Sequence, residues 1–114
     1  MKNPSPPIVK KDNLFLIGYR GTGKSTLGKE IAAKTNKKFI EIDELIIAKA
    51  KKSIPEIFAE DGEEKFRKYE HEVLEQICKS EGQIVSCGGG IITKEENISL
   101  LLANGTVCLL KAVS

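Results

Sequence analysis

The sequence contains no tryptophan, and aromatic residues make up only 5% of its 114 residues. The core must therefore depend on isoleucine, leucine, valine and alanine, within a hydrophobic fraction of 40%. No apolar run approaches the roughly 18 residues that a transmembrane helix needs, so we expect no membrane partner. The formal net charge is only +2, which does not favour binding of nucleic acid or of anionic membranes.

Cysteine is also scarce. The three cysteines are an odd number, lie far apart and form no CxxC pair, which does not fit a disulfide framework or a zinc site. The amino terminus shows no apolar secretory leader, so we expect a reducing, cytoplasmic location. The length suits one small domain, which we place at residues 13–114 after a flexible, proline-rich lead-in at residues 1–12.

Hydrophobic periodicity predicts strands alternating with helices. Short apolar runs predict strands at 14–17, 39–42, 84–87 and 106–110, and 3.6-residue spacing predicts helices between them, the longest at 63–80. Ser53 with Glu56, and Thr93 with Glu96, each predict a capping box at a helix start. Alternating strands and helices favour an α/β fold with a parallel sheet, in which ligands bind beyond the carboxyl ends of the strands.

A complete phosphate-binding motif follows the first predicted strand. Residues 18–25 read GYRGTGKS and match G-x-x-x-x-G-K-[ST] in full. Its glycines let consecutive backbone N–H groups face a phosphate, and we expect Lys24 to reach the β and γ phosphates of ATP and Ser25 to ligate Mg²⁺. The alternative is a glycine-rich turn without a ligand. The predicted nucleotide-binding residues are Gly21, Thr22, Gly23, Lys24, Ser25 and Thr26.

Four segments together resemble the shikimate kinases, small P-loop enzymes similar to nucleoside monophosphate kinases. In chain order they are GYRGTGKST at 18–26, FIEID at 39–43, IFAEDGEEKFR at 57–67 and SCGGG at 86–90. The resemblance implies a three-layer P-loop fold around a central parallel sheet. It also implies ATP-dependent phosphorylation of the 3-hydroxyl of shikimate, in the biosynthesis of chorismate and the aromatic amino acids. A gluconate-type kinase and a nucleic-acid-linked NTPase are the alternatives.

The resemblance assigns three substrate-binding residues. Asp43 matches the aspartate that orients the attacking hydroxyl and could take its proton as a general base. Arg67 matches the arginine that binds the shikimate carboxylate, for which a planar guanidinium suits a bidentate contact. Gly89 lies in a glycine triplet that lets the substrate approach backbone N–H groups. Without the resemblance, Asp43 could equally cap a helix, Arg67 could be an ordinary solvated charge, and the triplet could be a tight turn.

For magnesium, the resemblance places Ser86 near the water shell of the ion. Glu41 stands where the family usually has aspartate, and its longer side chain could still hold a magnesium-bound water. We expect structural roles for the other reactive side chains. His71 should be solvated on a charged helix face, and Cys87 and Cys108 should be small residues of the core.

The resemblance further implies a mobile lid and a second substrate arginine, yet no arginine follows Arg67. We expect the family pattern to continue through a lid, a fifth strand and a closing helix, roughly 50 residues more. Two hypotheses follow: the chain is part of a longer kinase, or it is a short form that binds nucleotide with little turnover. The complete kinase is expected to be a monomer, whereas a sheet without its last strand exposes apolar surface and predicts self-association.

Overall fold

The computed structural model describes residues 11–19 and 22–111, so residues 1–10 of the predicted lead-in lie outside the described part. The strands are β1 (Asn13–Gly18), β2 (Lys38–Glu41), β3 (Gln83–Gly88) and β4 (Thr106–Leu109). The helices are α1 (Lys24–Thr35), α2 (Ile42–Ala50), α3 (Ile54–Glu60), α4 (Gly62–Ile77) and α5 (Glu95–Asn104). A short 3₁₀ helix, here called the glycine turn, spans Gly89–Thr93.

The four strands form one parallel sheet in the order β2-β3-β1-β4. This confirms the predicted α/β class, because parallel neighbours need the helical crossovers that the sequence pattern indicates. The register places Gly18 beside Gly88, and Glu41 beside Ser86. The ends of three strands that carry the predicted site residues therefore meet at one edge of the sheet.

Both faces of the sheet are covered, which explains the continuous apolar sequence of β1. On one face Leu16 packs in a buried cluster with Ala32 of α1 and Ile84 of β3. On the other face Phe15 and Ile17 belong to a larger core that includes residues of α2, α3, α4 and α5. Helices on either side of a central sheet give the three predicted layers. No helix within residues 11–19 and 22–111 is both long and apolar enough to span a membrane.

Most element boundaries differ from the predicted ones by a single residue, and two of the differences are informative. β2 ends at Glu41, and Ile42, expected in the strand, is the first residue of α2. Ile42 is fully buried, and a buried apolar residue fits the pattern of either a strand or a helix. Helix α4 ends at Ile77, before the predicted Ser80.

The capping box predicted at Ser53 is confirmed. The Glu56 backbone N–H donates to Ser53 Oγ at 3.2 Å, and the Ser53 N–H donates to Glu56 Oε1 at 3.1 Å. The backbone and hydroxyl contacts with Ser53 lower the pKa of Glu56.

The second predicted capping box, at Thr93, is wrong. Thr93 is the last residue of the glycine turn, and its hydroxyl donates to the Gly90 carbonyl at 2.8 Å. Lys94 occupies the N-cap of α5 instead, without a side-chain cap. The local sequence pattern does not reveal that the Gly90 carbonyl, three residues earlier, accepts the hydrogen bond of the Thr93 hydroxyl.

Replacing Ser53 with alanine is expected to lower the free energy of unfolding by about 1 kcal/mol, because the α3 amino terminus loses its cap. This corresponds to a fall of about 5 °C in the thermal midpoint for a domain of this size. The matched control is Ser99→Ala at an exposed position inside α5, where the same change should leave the midpoint nearly unchanged. Equal midpoints for Ser53→Ala and the wild type in circular dichroism melting would contradict the prediction.

Candidate active site

A small cavity of about 50 Å³ lies at the carboxyl edge of the sheet and is lined by several of the predicted site residues. It is lined by the start of α1, the end of β2, the first turn of α2 and the end of β3. The lining residues are Lys24, Ser25, Glu41, Asp43, Ser86 and Gly88. Residues as far apart in sequence as Lys24 and Gly88 therefore meet because parallel strands end side by side.

The phosphate loop leads directly into α1. Gly23 has φ 74° and occupies the N-cap of the helix, and this left-handed conformation favours glycine. The Thr22 hydroxyl donates to the Tyr19 carbonyl at 2.8 Å and so ties the two described ends of the loop together. Arg20 and Gly21 lie outside the described residues. Thr26 is exposed in the first turn of α1.

Ser25 and Glu41 are in direct contact, since the Ser25 hydroxyl donates to Glu41 Oε1. Both side chains are half-buried, and Ser86 lies beside Glu41 in the sheet register. The longer glutamate side chain therefore still brings its carboxylate to the serine of the phosphate loop. Hydroxyl and carboxylate oxygens are the donors that Mg²⁺ prefers.

Asp43 does not cap α2, which removes the alternative that the sequence left open. The N-cap is Glu41, and Asp43 lies inside the first turn of the helix. Carboxylates in a first turn are favoured by the helix dipole. The Asp43 side chain lines the small cavity, so it faces the same space as Lys24 and Ser25.

Arg67 is not an ordinary solvated charge, because its side chain is only 20% exposed. Its Nη1 donates to Glu70 Oε1 at 3.0 Å, and its Nη2 lies 3.5 Å from Glu63 Oε2. The guanidinium carbon also lies 5.1 Å from the centre of the Phe66 ring. One buried and one exposed carboxylate thus hold the guanidinium near the glycine turn.

Glu70 is a residue that sequence reasoning missed. Its side chain is only 2% exposed, and burial raises the pKa of its carboxyl, while the hydrogen bond and charge of Arg67 oppose that rise. The charge of Asp43 raises the pKa of Glu70 further, which places both acidic groups in one electrostatic environment. The three-residue spacing from Arg67 on one helix face was the available signal.

The glycine triplet makes room for two side chains of the protein itself. A Cβ on Gly90 would lie 2.4 to 2.7 Å from the Arg67 guanidinium, and one on Gly89 would lie 2.6 to 2.8 Å from the Tyr19 ring. A Cβ on Gly88 would meet nothing within 4 Å. The triplet therefore runs from the small cavity at Gly88 to the guanidinium at Gly90.

Arg67 lies outside the small cavity and lines a more open one of about 610 Å³ between α4 and the start of α5. The structure thus brings Lys24, Asp43 and the predicted magnesium-binding residues together at one point and places the arginine at the far end of the glycine triplet. The two cavities are thus connected by the glycine triplet, in which Gly89 is buried.

The histidine and two of the cysteines lie in different environments. His71 is not simply solvated, because its side chain is 28% exposed and its Nδ1 lies 2.7 Å from Asn97 Oδ1 of α5. Cys87 is fully buried, as predicted, and burial raises the pKa of its thiol well above the ordinary range. Cys108 is half-buried in the cluster around α1.

Comparison with known sequences gives a consistent result. A family model described as shikimate kinase matches residues 20–113. The shikimate kinase of Dehalococcoides mccartyi is 41% identical over 102 residues, which cover 90% of this chain and 58% of that protein. The shikimate kinase of Azobacteroides pseudotrichonymphae is 47% identical over 100 residues, covering 87% and 59%. The chain thus spans less than two thirds of the length of these relatives.

Solved structures agree with the sequences. The shikimate kinase from Acinetobacter baumannii in complex with shikimate has a TM-score of 0.86 at 33% identity, covering 90% of this chain and 57% of that one. The enzyme from Aquifex aeolicus has a TM-score of 0.82 at 35% identity, covering 89% and 60%. A gluconokinase from Sinorhizobium meliloti has a TM-score of 0.57 at 17% identity, a likeness that shows the fold alone.

Proposed function

The chain belongs to the shikimate kinase family, and we propose that it uses ATP to phosphorylate the 3-hydroxyl of shikimate. The products are shikimate 3-phosphate and ADP, and the reaction serves the biosynthesis of chorismate and the aromatic amino acids. The observation that carries the proposal is the glycine triplet, which connects the cavity containing Lys24 and Asp43 to the guanidinium of Arg67.

Arg67 and the small cavity, on either side of the glycine triplet, would bind the carboxylate and the reacting hydroxyl of shikimate, respectively. Its carboxylate would bind Arg67, which is held near Gly90 and retains N–H donors beyond those used by its acidic neighbours. The long, exposed contact with Glu63 is the one that a substrate carboxylate can replace. The ring would lie between the small cavity and Arg67, beside Gly88, where a Cβ would meet nothing within 4 Å.

The reacting groups would meet at the small cavity. Lys24 would contact the β and γ phosphates of ATP, as phosphate loops do. Asp43 would accept a hydrogen bond from the attacking hydroxyl and orient it toward the γ phosphorus. The carboxylate can receive the hydroxyl proton as the new oxygen–phosphorus bond forms and the bond between the γ phosphorus and the ADP oxygen breaks.

Magnesium fits the donor set of this cavity. The Ser25 hydroxyl would hold the ion together with phosphate oxygens, and Glu41 and Ser86 would contact it through water. When bound, the ion supplies positive charge that neutralises the phosphate oxygens. The contact between Ser25 and Glu41 supports the fit, because it brings oxygen donors from α1 and β2 together.

Replacing Gly90 with alanine is expected to raise the dissociation constant for shikimate by about tenfold. The new methyl group would occupy the place of the Arg67 guanidinium, and the flexible side chain would move rather than the backbone. Isothermal titration calorimetry measures the shikimate affinity, and the affinity for ADP should stay unchanged. Gly88→Ala is the matched control for stability, because that position has open space. Unaltered shikimate affinity in Gly90→Ala would show that the contact between Gly90 and Arg67 does not affect binding of the shikimate carboxylate.

Calorimetry with the 114-residue chain tests the proposed substrate. We expect the chain, saturated with ADP and Mg²⁺, to bind shikimate and not gluconate. Binding is measured apart from turnover because the chain spans only part of the length of its relatives. A folded chain that binds ADP but binds gluconate in place of shikimate would overturn the assignment. A chain that binds ADP and shikimate but forms no ADP from ATP would be a nucleotide-binding form with little kinase activity.

A further inference from the structure

A hydrogen-bonded chain joins α4 to the glycine turn through α5. His71 of α4 contacts Asn97 Oδ1 at 2.7 Å, and Asn97 Nδ2 donates to the Ile91 carbonyl at 3.1 Å. Asn97 and Ile91 are both fully buried. Because a buried amide needs partners for both of its polar atoms, His71 and Ile91 together fix how Asn97 lies.

The chemistry of this chain sets the hydrogen on the imidazole. The Ile91 carbonyl can only accept, so the amide must present its Nδ2 to Ile91 and its Oδ1 to the histidine. The histidine must then donate from Nδ1. Its Nε2 lies 3.7 Å from Glu75 Oε1 on the next turn of α4, toward solvent.

The same face of α4 therefore contacts the glycine turn twice. Arg67 lies four residues before His71, a spacing that places both side chains on one helix face. The Arg67 guanidinium covers Gly90, while His71 reaches Ile91 through Asn97. The Thr93 hydroxyl fixes the Gly90 carbonyl from the other side. The turn is thus held by side-chain hydrogen bonds at consecutive carbonyls.

We propose that His71 is a positioning residue for the shikimate site, which it serves by holding the glycine turn against α4 through Asn97. The inference rests on the proposed function, since it assumes that shikimate lies between the turn and Arg67. His71 touches no substrate in this account. It fixes the separation between Gly90 and the helix that carries Arg67, and so the geometry in which the carboxylate is bound.

Two variants of His71 separate a positioning role from a general loss of stability. His71→Ala removes the donor, whereas His71→Asn places an amide nitrogen at nearly the position of Nδ1 and can donate to the Asn97 oxygen. We expect His71→Ala to raise the dissociation constant for shikimate by about fivefold, as one lost hydrogen bond predicts. Amide exchange in the glycine turn should rise by a similar factor, while ADP affinity and exchange in α1 stay unchanged. His71→Asn should restore wild-type values.

Hydrogen exchange without ligand keeps this test apart from the proposed function. If the wild type binds no shikimate, the proposed function fails, and exchange in residues 89–93 alone decides the role of His71. Wild-type exchange there in His71→Ala would overturn the positioning role. An equal rise in α1 would also overturn it, because only global stability would then have changed. If a folded His71→Asn variant shows the same shikimate affinity and amide exchange as His71→Ala, the hydrogen bond donated from Nδ1 does not hold the glycine turn, and the positioning role is overturned.

Discussion

Phosphoryl transfer in a Lys24→Ala variant is expected to fall by about a thousandfold. Lys24 is the first residue of α1, is half-buried, and lines the cavity with Ser25 and Asp43. Preorganised positive charge at a transferring phosphoryl group contributes roughly this much, because it acts on charge that develops in the transition state. Steady-state measurement of ADP formation with shikimate gives the effect. The affinity for shikimate itself should change little, since Arg67 lies elsewhere.

The control for this prediction is Lys34→Ala, an exposed lysine in the last turn of the same helix. It removes an equal charge far from the phosphate loop and should keep the wild-type rate. Activity of Lys24→Ala within tenfold of the wild type would mean that the loop does not position the transferred phosphate. The affinity for ATP should likewise fall in Lys24→Ala and stay at the wild-type value in Lys34→Ala.

The shikimate dissociation constant of an Arg67→Ala variant is expected to rise by about a hundredfold. Loss of one partner from a desolvated charge pair costs about 3 kcal/mol, which corresponds to that factor. Arg67→Lys keeps the charge but loses the planar fork, so we expect an intermediate effect. Calorimetry in the presence of ADP measures all three affinities. ADP affinity should be equal in the three proteins.

Stability of Arg67→Ala should depend on pH in a defined direction. Burial already raises the pKa of Glu70, and loss of Arg67 raises it further because the opposing charge is gone. A carboxyl with a raised pKa in the folded state favours folding at low pH, and this contribution is lost as pH rises through the folded pKa. The variant should therefore be less destabilised, relative to the wild type, at pH 5 than at pH 8. The double variant Arg67→Ala/Glu70→Gln removes the buried charge and isolates the effect on shikimate binding. Wild-type shikimate affinity in this double variant would remove Arg67 from the site.

The parts of the fold that sequence predicted are those set by short-range patterns. The phosphate loop is complete within eight residues, and the Ser53 capping box within four, so neighbouring residues suffice to specify them. The alternation of strands and helices predicted the parallel sheet, which brings the ends of β1, β2 and β3 together. In the sequence, the phosphate loop, Asp43 and the glycine triplet each follow one of these strands, where ligands bind in such sheets.

Contacts that form only in the folded chain account for what sequence did not predict. Thr93 fits a capping box in sequence, but the nearby Gly90 carbonyl accepts its hydroxyl in the folded chain. His71 stands among charged neighbours, yet its imidazole meets Asn97, 26 residues away. The triplet suggested room for a substrate, whereas two of its glycines also make room for Tyr19 and Arg67. The contacts of His71, Tyr19 and Arg67 depend on the tertiary arrangement of α4, α5 and the loop.

Phosphorus NMR of the reaction products would show directly whether this chain phosphorylates shikimate. The chain is incubated with ATP, Mg²⁺ and shikimate, and we expect a new phosphate ester on the 3-hydroxyl in equal amount to the ADP formed. Lys24→Ala should yield almost none in the same time. A folded chain that binds ATP and shikimate yet forms no ester, or that releases only inorganic phosphate and ADP, would contradict the account.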